Sequence, residues 1–164
     1  MSITIRRATV DDAAGVSAVW EAIVAEKIYS AIDRAFTPEE ERACLAALSD
    51  RESVFVADDA GRVVGFQSLD KWSAFMSSTT HVGQLGTFVL KEYRGMGVGP
   101  RLASATFDFA HFHRYEKLVI FVRGSNTGAQ AFYRSLGFRE CGRLSRHAKL
   151  ADTYDDEVLM EVAL

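Results

Sequence analysis

The stretch Phe88-Val89-Leu90-Lys91-Glu92-Tyr93-Arg94-Gly95-Met96-Gly97-Val98-Gly99-Pro100-Arg101-Leu102 contains, in order, the end of a β-rich run, three glycines separated by single residues, and the start of an apolar helical pattern. A strand that passes through glycines into a helix presents backbone N–H groups without intrahelical acceptors, at the positive end of the helix dipole. The glycines let those amides close on an anion with no Cβ in the way, and Arg94 adds a positive charge for the same ligand. Two well-known phosphate motifs do not fit. Gly95, Gly97 and Gly99 are followed by Pro100, Arg101 and Leu102, which breaks the dinucleotide fingerprint, and the Gly-Lys-Ser/Thr ending of a nucleoside triphosphate loop is missing.

Upstream of this segment, His81 to Leu90 is a strand in which Gly83 and Gly86 mark a bulge or a close backbone approach. Ser53 to Ala57 and Arg62 to Leu69 are β-rich runs joined by Asp58-Asp59-Ala60-Gly61, the chemistry of an antiparallel hairpin. Ser2 to Arg7 alternates as a half-buried strand. Thr9, Asp11 and Asp12 then start a helix carrying Val16, Val19, Trp20 and Ile23 at helical spacing. Thr37-Pro38-Glu39-Glu40 opens a second helix that should end near Ser49, with a hydroxyl cap, proline in the first turn and carboxylates facing the dipole.

Downstream, Leu102, Ala103, Ala105, Phe109 and Phe112 predict a helix over Pro100 to His113, and Lys117 to Val122 is a short buried strand. Asn126 to Leu136 is a further helix closed by Gly137, and Phe138 to Arg143 and Glu157 to Val162 are closing strands. The order is strand, two helices, three strands, helix, strand, helix, two strands. It predicts an α/β fold with one mixed sheet and helices on both faces.

A chain of 164 residues with 48% hydrophobic and 25% charged residues has the size and balance of one globular domain, 1–164, able to bury roughly two-thirds of its unfolded surface. The net charge of -3 and the lack of a basic stripe exclude nucleic acid as the main partner. Cys44 and Cys141 lie far apart without metal-ligand spacing, which predicts small, buried, reduced thiols and no metal site. The polar start Met-Ser-Ile-Thr-Ile-Arg-Arg and the absence of a long apolar run predict a cytoplasmic protein with no membrane span.

Arg94, Gly97 and Gly99 satisfy the pyrophosphate-loop signature of the GNAT superfamily of N-acetyltransferases, and the sequence resembles that family again at Asn126, Ala129, Tyr133, Gly137 and Phe138. Two motifs in the right order are more specific than either, and the element order is similar to the GNAT fold from end to end. The resemblance implies a single GNAT-like domain with a mostly antiparallel sheet of about seven strands, its central strand bulged and splayed. It implies acetyl-CoA as co-substrate, with no metal. Phe88 and Val89 would pair through their backbone with the pantetheine arm and offer an N–H to the thioester carbonyl. Arg94, Gly95, Met96, Gly97, Val98 and Gly99 would hold the pyrophosphate. Asn126 would contact the cofactor, and Tyr133 would protonate the leaving thiolate. The tail from Arg143 to Met160 is similar, more loosely, to a branch acting on amino acids and small amines.

The residues themselves leave several points open. Asn126 is also a natural helix N-cap, and Tyr133 also suits a core position. Pro100 removes an N–H that either reaches a phosphate or belongs to a first-turn orphan. Glu21, Glu26, His81, Gln84 and His147 are candidates for the base that takes the amine's proton, and His81 is the choice because its ordinary pKa suits the task. Trp20, Tyr29, Trp72 and Phe75 line a substrate pocket or belong to the core. Phe107, Phe109 and Phe112 serve the core or a homodimer interface. The small-molecule amine reading stands beside two others, a protein N-terminal acetyltransferase and a non-catalytic acyl-CoA sensor.

Overall fold

The computed structural model describes residues 2–28 and 31–164. Among the described residues the elements run β1 (Ile3–Arg7), α1 (Ala13–Glu26), α2 (Pro38–Ala47), β2 (Ser53–Asp59), β3 (Arg62–Lys71), β4 (Val82–Val89), α3 (Val98–Phe112), β5 (Lys117–Arg123), α4 (Thr127–Ser135), β6 (Arg139–Leu150) and β7 (Thr153–Ala163). The strands form a seven-stranded sheet in the order β1-β2-β3-β4-β5-β7-β6. Every neighbouring pair is antiparallel except β4 and β5, which are parallel. Helices α1 and α2 pack together on one face, α1 against β3 and β4. Helix α3 crosses β1 to β4 on the other face.

Local chemistry sets these elements. Thr9 caps a short 3-10 turn in a reciprocal capping box with Asp12, and Thr37 does the same for α2 with Glu40. The guanidinium of Arg6 holds both Asp12 and Asp58, at 2.8 Å each, which ties β1 to the start of α1 and to the β2–β3 hairpin. That hairpin turns on Ala60 and Gly61, both at positive φ, as the two-residue turn requires.

The parallel pair positions the site. Only Val82–Gln84 and Lys117–Val119 are in register between β4 and β5, so the two strands part from Leu85 and Ile120 onward. On its other side β4 keeps an unshifted register with β3 from Gly83 to Val89. Its irregularity is therefore one-sided pairing, and the register shift in this half of the sheet lies between β2 and β3, where Val64 is the extra residue. At the base of the splay, a Cβ on Gly83 would stand 2.6 Å from Leu69 Cδ1 and 3.0 Å from Leu118 Cδ2. Glycine is what lets β4 approach β5 there.

Three expectations change. The last two strands are much longer than read, forming a ribbon that turns at Ala151 and Asp152. Its middle is exposed on β6, so no apolar alternation announced it. Cys44 and Cys141 are exposed thiols, not buried ones. Phe107 packs on Phe138 and Phe109 on Phe55, whereas Phe112 is 82% exposed. No helix among the described residues is long and apolar enough to cross a membrane.

Candidate active site

A cleft of about 930 Å³ opens between the parted ends of β4 and β5, and its wall runs from the glycine loop to Tyr133 and Glu157. At one end Gly95 and Gly97 have φ of 74° and 80°, which ordinary residues adopt rarely. Gly97 is the N-cap of α3 and, among the described residues, no side chain caps the helix. The first-turn amides thus keep their anion-binding capacity, at the positive end of a 15-residue helix. Pro100 is third in α3, within the first turn, so its ring displaces no intrahelical hydrogen bond.

Arg94 faces this loop differently from expectation. Its guanidinium donates to both carboxylate oxygens of Glu26, at 2.5 and 2.9 Å, and its Nε donates to the Val89 carbonyl at 2.9 Å. The C-terminal residue of α1 therefore already supplies Arg94 with an anion.

The edge of β4 beside the gap follows from strand alternation. The Leu90 N–H donates to Val64 O and the Trp72 N–H to Val82 O, so residues of that parity turn their amides to β3. Leu85, Thr87 and Val89 then turn theirs into the gap. Phe88, expected to pair through its backbone, has its amide on the β3 side. It lines the cleft, and its ring packs on Trp20 with centroids 4.2 Å apart and planes tilted by 46°.

Tyr133 reaches the cleft from α4. It is 3% exposed, and its hydroxyl donates to Thr87 Oγ1 at 2.7 Å. Burial pushes the phenol up to about 12, with the Thr87 contact working in the other direction. Such a group stays protonated at neutral pH. Asn126 lines the cleft while its Oδ1 caps α4 by accepting from the Ala129 N–H at 3.0 Å.

Two carboxylates also line the cleft, Asp70 on β3 and Glu157 on β7. Asp70 and Gln84 are register partners on β3 and β4, and both line the cleft with Ser68 and Glu157. Solvent still reaches Asp70, yet crowding by the cleft walls raises its carboxyl above the usual range; a hydrogen bond with Ser68 opposes this and the Glu52 charge adds to it. Arg123, also on the wall, is neutralised by Asp155 at 2.9 Å and donates to the Lys27 carbonyl. His147 lies 3.6 Å from Glu157 on the exposed ribbon.

A sequence model of the Acetyltransferase (GNAT) family matches residues 18–138. The chain belongs to the GNAT family. It is similar to the N-alpha-acetyltransferase RimI of Mycobacterium tuberculosis, 32% identical over 100 residues that cover 60% of each chain. Among solved structures it is similar to a ribosomal-protein-alanine N-acetyltransferase from Brucella melitensis, at 26% identity and a TM-score of 0.91 over 98% of this chain and 99% of that one. A GNAT phosphinothricin acetyltransferase from Sinorhizobium meliloti, solved in complex with acetyl-CoA, shares the fold with a TM-score of 0.91 at 18% identity, over 100% of this chain and 89% of that one. The chain spans 41% to 63% of the lengths of the curated relatives it matches.

Of the residues that the GNAT resemblance singled out, Phe88, Val89, Arg94, Gly95, Gly97, Gly99, Asn126 and Tyr133 all line this one cleft. Met96 is half exposed beside it, and Val98 is buried in the core. His81 does not line it; the residue is exposed ahead of β4, with its carbonyl accepting from Glu116 and Lys117. Glu21 is exposed on α1, and Phe75 is 97% exposed. Trp72 is not in the lining but stacks on Phe121, which is, and Tyr29 lies outside the described residues. Asp70, Thr87 and Glu157 were missed. Only strand register brings Asp70 beside Gln84, and a lone aspartate at a strand end carries no motif.

Proposed function

We propose that this chain is an N-acetyltransferase that moves an acetyl group from acetyl-CoA to the primary amine of a small molecule, an amino acid or related amine, by direct attack in a ternary complex. One observation carries the reading: a single cleft joins amides at a helix start, which no side chain caps among the described residues, to a buried, protonated phenol, along the edge of β4 that has parted from β5. Acetyl-CoA needs those three features in that order, for its diphosphate, its pantetheine amides and its sulfur.

In this reading the pyrophosphate lies on the amides from Gly95 to Gly99, and Arg94 exchanges Glu26 for phosphate oxygens. The pantetheine arm pairs with the exposed edge at Thr87 and Val89, and an N–H of that edge polarises the thioester carbonyl. The amine nitrogen attacks the carbonyl carbon. As the C–N bond forms and the C–S bond breaks, Tyr133 gives its proton to the departing sulfur. The nitrogen must first lose a proton, and Asp70, through water, is the group in the lining suited to take it. The carboxylates of Asp70 and Glu157 in the cleft lining favour a cationic acceptor.

The Brucella and Mycobacterium relatives named for protein acetylation favour a second acceptor class, the protein N-terminus. Thiol release from acetyl-CoA over L-amino acids, alkylamines, spermidine and Ala-initiated tripeptides separates the two. Turnover of amino acids or small amines is expected; turnover confined to the tripeptides moves the assignment to protein N-termini. No turnover with any amine, despite acetyl-CoA binding, favours the sensor. Tyr133→Phe is expected to bind acetyl-CoA normally and lose at least about 100-fold in kcat.

A further inference from the structure

The hydrogen bonds around Tyr133 extend one residue further than its mechanism uses. Thr87 Oγ1 accepts from the Tyr133 hydroxyl at 2.7 Å and from Gln67 Nε2 at 2.7 Å. Gln67 is the register partner of Thr87, fully buried on β3, and its Oε1 has no partner among the described residues. A buried amide with one end unpaired is unusual enough to need a reason. Turning it round would pair the carbonyl and leave both N–H donors unpaired, whereas the observed arrangement leaves the carbonyl and one N–H without a partner among the described residues. It would also fix the Thr87 proton on the Gln67 oxygen. In the observed arrangement both acceptor sites of the Thr87 oxygen are filled, and its own proton is committed to neither neighbour.

That freedom matters once Tyr133 acts as an acid. Burial disfavours the Tyr133 phenolate while the contacts with Thr87 oppose that, so proton transfer from the phenol to the thiolate costs less the better the phenolate is held as it forms. Thr87 reaches the phenol through its backbone and through its hydroxyl, and only the hydroxyl can change from acceptor to donor. We propose that Thr87, its oxygen anchored by Gln67, is a positioning residue that reverses from acceptor to donor as Tyr133 releases its proton, so that the Thr87 O–H meets the new phenolate. The proton of Tyr133 ends on the coenzyme sulfur, and the phenolate is reprotonated from water after the thiol leaves. Thr87 then swings back. This inference rests on the reading of Tyr133 as the general acid.

The test compares Thr87→Val, Thr87→Ser, Gln67→Met and Tyr133→Phe, using whichever amine of the panel above the wild type acetylates fastest. Thr87→Val is expected to lower kcat about 10- to 100-fold with KM for acetyl-CoA within about twofold, and Thr87→Ser to restore kcat to within about threefold of wild type. Gln67→Met should fall between them. The Tyr133 ring-carbon resonance, followed by NMR against pH, should titrate higher in Thr87→Val than in wild type and return in Thr87→Ser. Unchanged kcat in Thr87→Val, a loss that serine does not rescue, or an unmoved Tyr133 titration would overturn the proposal. Should Thr87→Val fail to fold, unchanged kcat in Gln67→Met overturns it alone. If Tyr133→Phe keeps full turnover, the general-acid reading falls and this inference with it; if Tyr133→Phe is inactive while Thr87→Val is not, only this inference falls.

Discussion

At the scale of single residues, the charges around the cleft make two predictions. Asp70 must be ionised to take a proton, and its carboxyl titrates above the usual carboxylate range because the cleft walls desolvate it. kcat/KM should therefore fall as pH drops through that raised value. Asp70→Asn should lose that limb and about 100-fold in rate with an alkylamine, as a pH–rate profile would show. An unchanged profile would assign the limb elsewhere. Glu26, for its part, occupies Arg94 in the ligand-free molecule. Glu26→Gln should tighten acetyl-CoA binding about threefold or more by calorimetry, because a diphosphate then meets no competing carboxylate. Weaker binding would mean that Glu26 holds Arg94 in place. The positions of Arg94, Asn126 and Tyr133 on one cleft were legible in the sequence because each belongs to a spaced motif. Their contacts were not legible, since Glu26 reaches Arg94 across 68 residues of chain, Thr87 reaches Tyr133 across 46, and Gln67 reaches Thr87 across 20.

At the scale of elements, the splay depends on how close β4 and β5 come before they part. Gly83 lies between Leu69 and Leu118, both fully buried. Gly83→Ala should destabilise the fold by about 1–3 kcal/mol, read as a lower urea midpoint at unchanged slope. No loss would mean that the strands have room to spare there. The order of elements was readable from end to end, because each helix carries either a cap or an apolar stripe and each buried strand an apolar run. The β6–β7 ribbon was readable only where it meets the core. Between Leu144 and Asp156 its residues are largely solvent-facing, and their hydrogen bonds come from the partner strand, a long-range fact absent from local composition. The same holds for the hydrogen-bonding parity of β4, which assigns the gap-facing amides to Thr87 and Val89.

At the scale of the whole molecule, two apolar clusters flank the parted strands. One is built mainly on α1, β2, β3 and the start of α3, the other on β5, β7, α4 and the end of α3. Residues of both clusters reach the lining of the cleft. A ligand spanning both should stabilise the folded chain as a unit. The central claim is that this opening binds acetyl-CoA, and thermal unfolding of the full chain against increasing acetyl-CoA measures it. At about 100 times the dissociation constant the ligand should contribute about 2.7 kcal/mol and raise Tm by roughly 5–10 °C. A Tm that stays fixed at saturating acetyl-CoA would contradict the account.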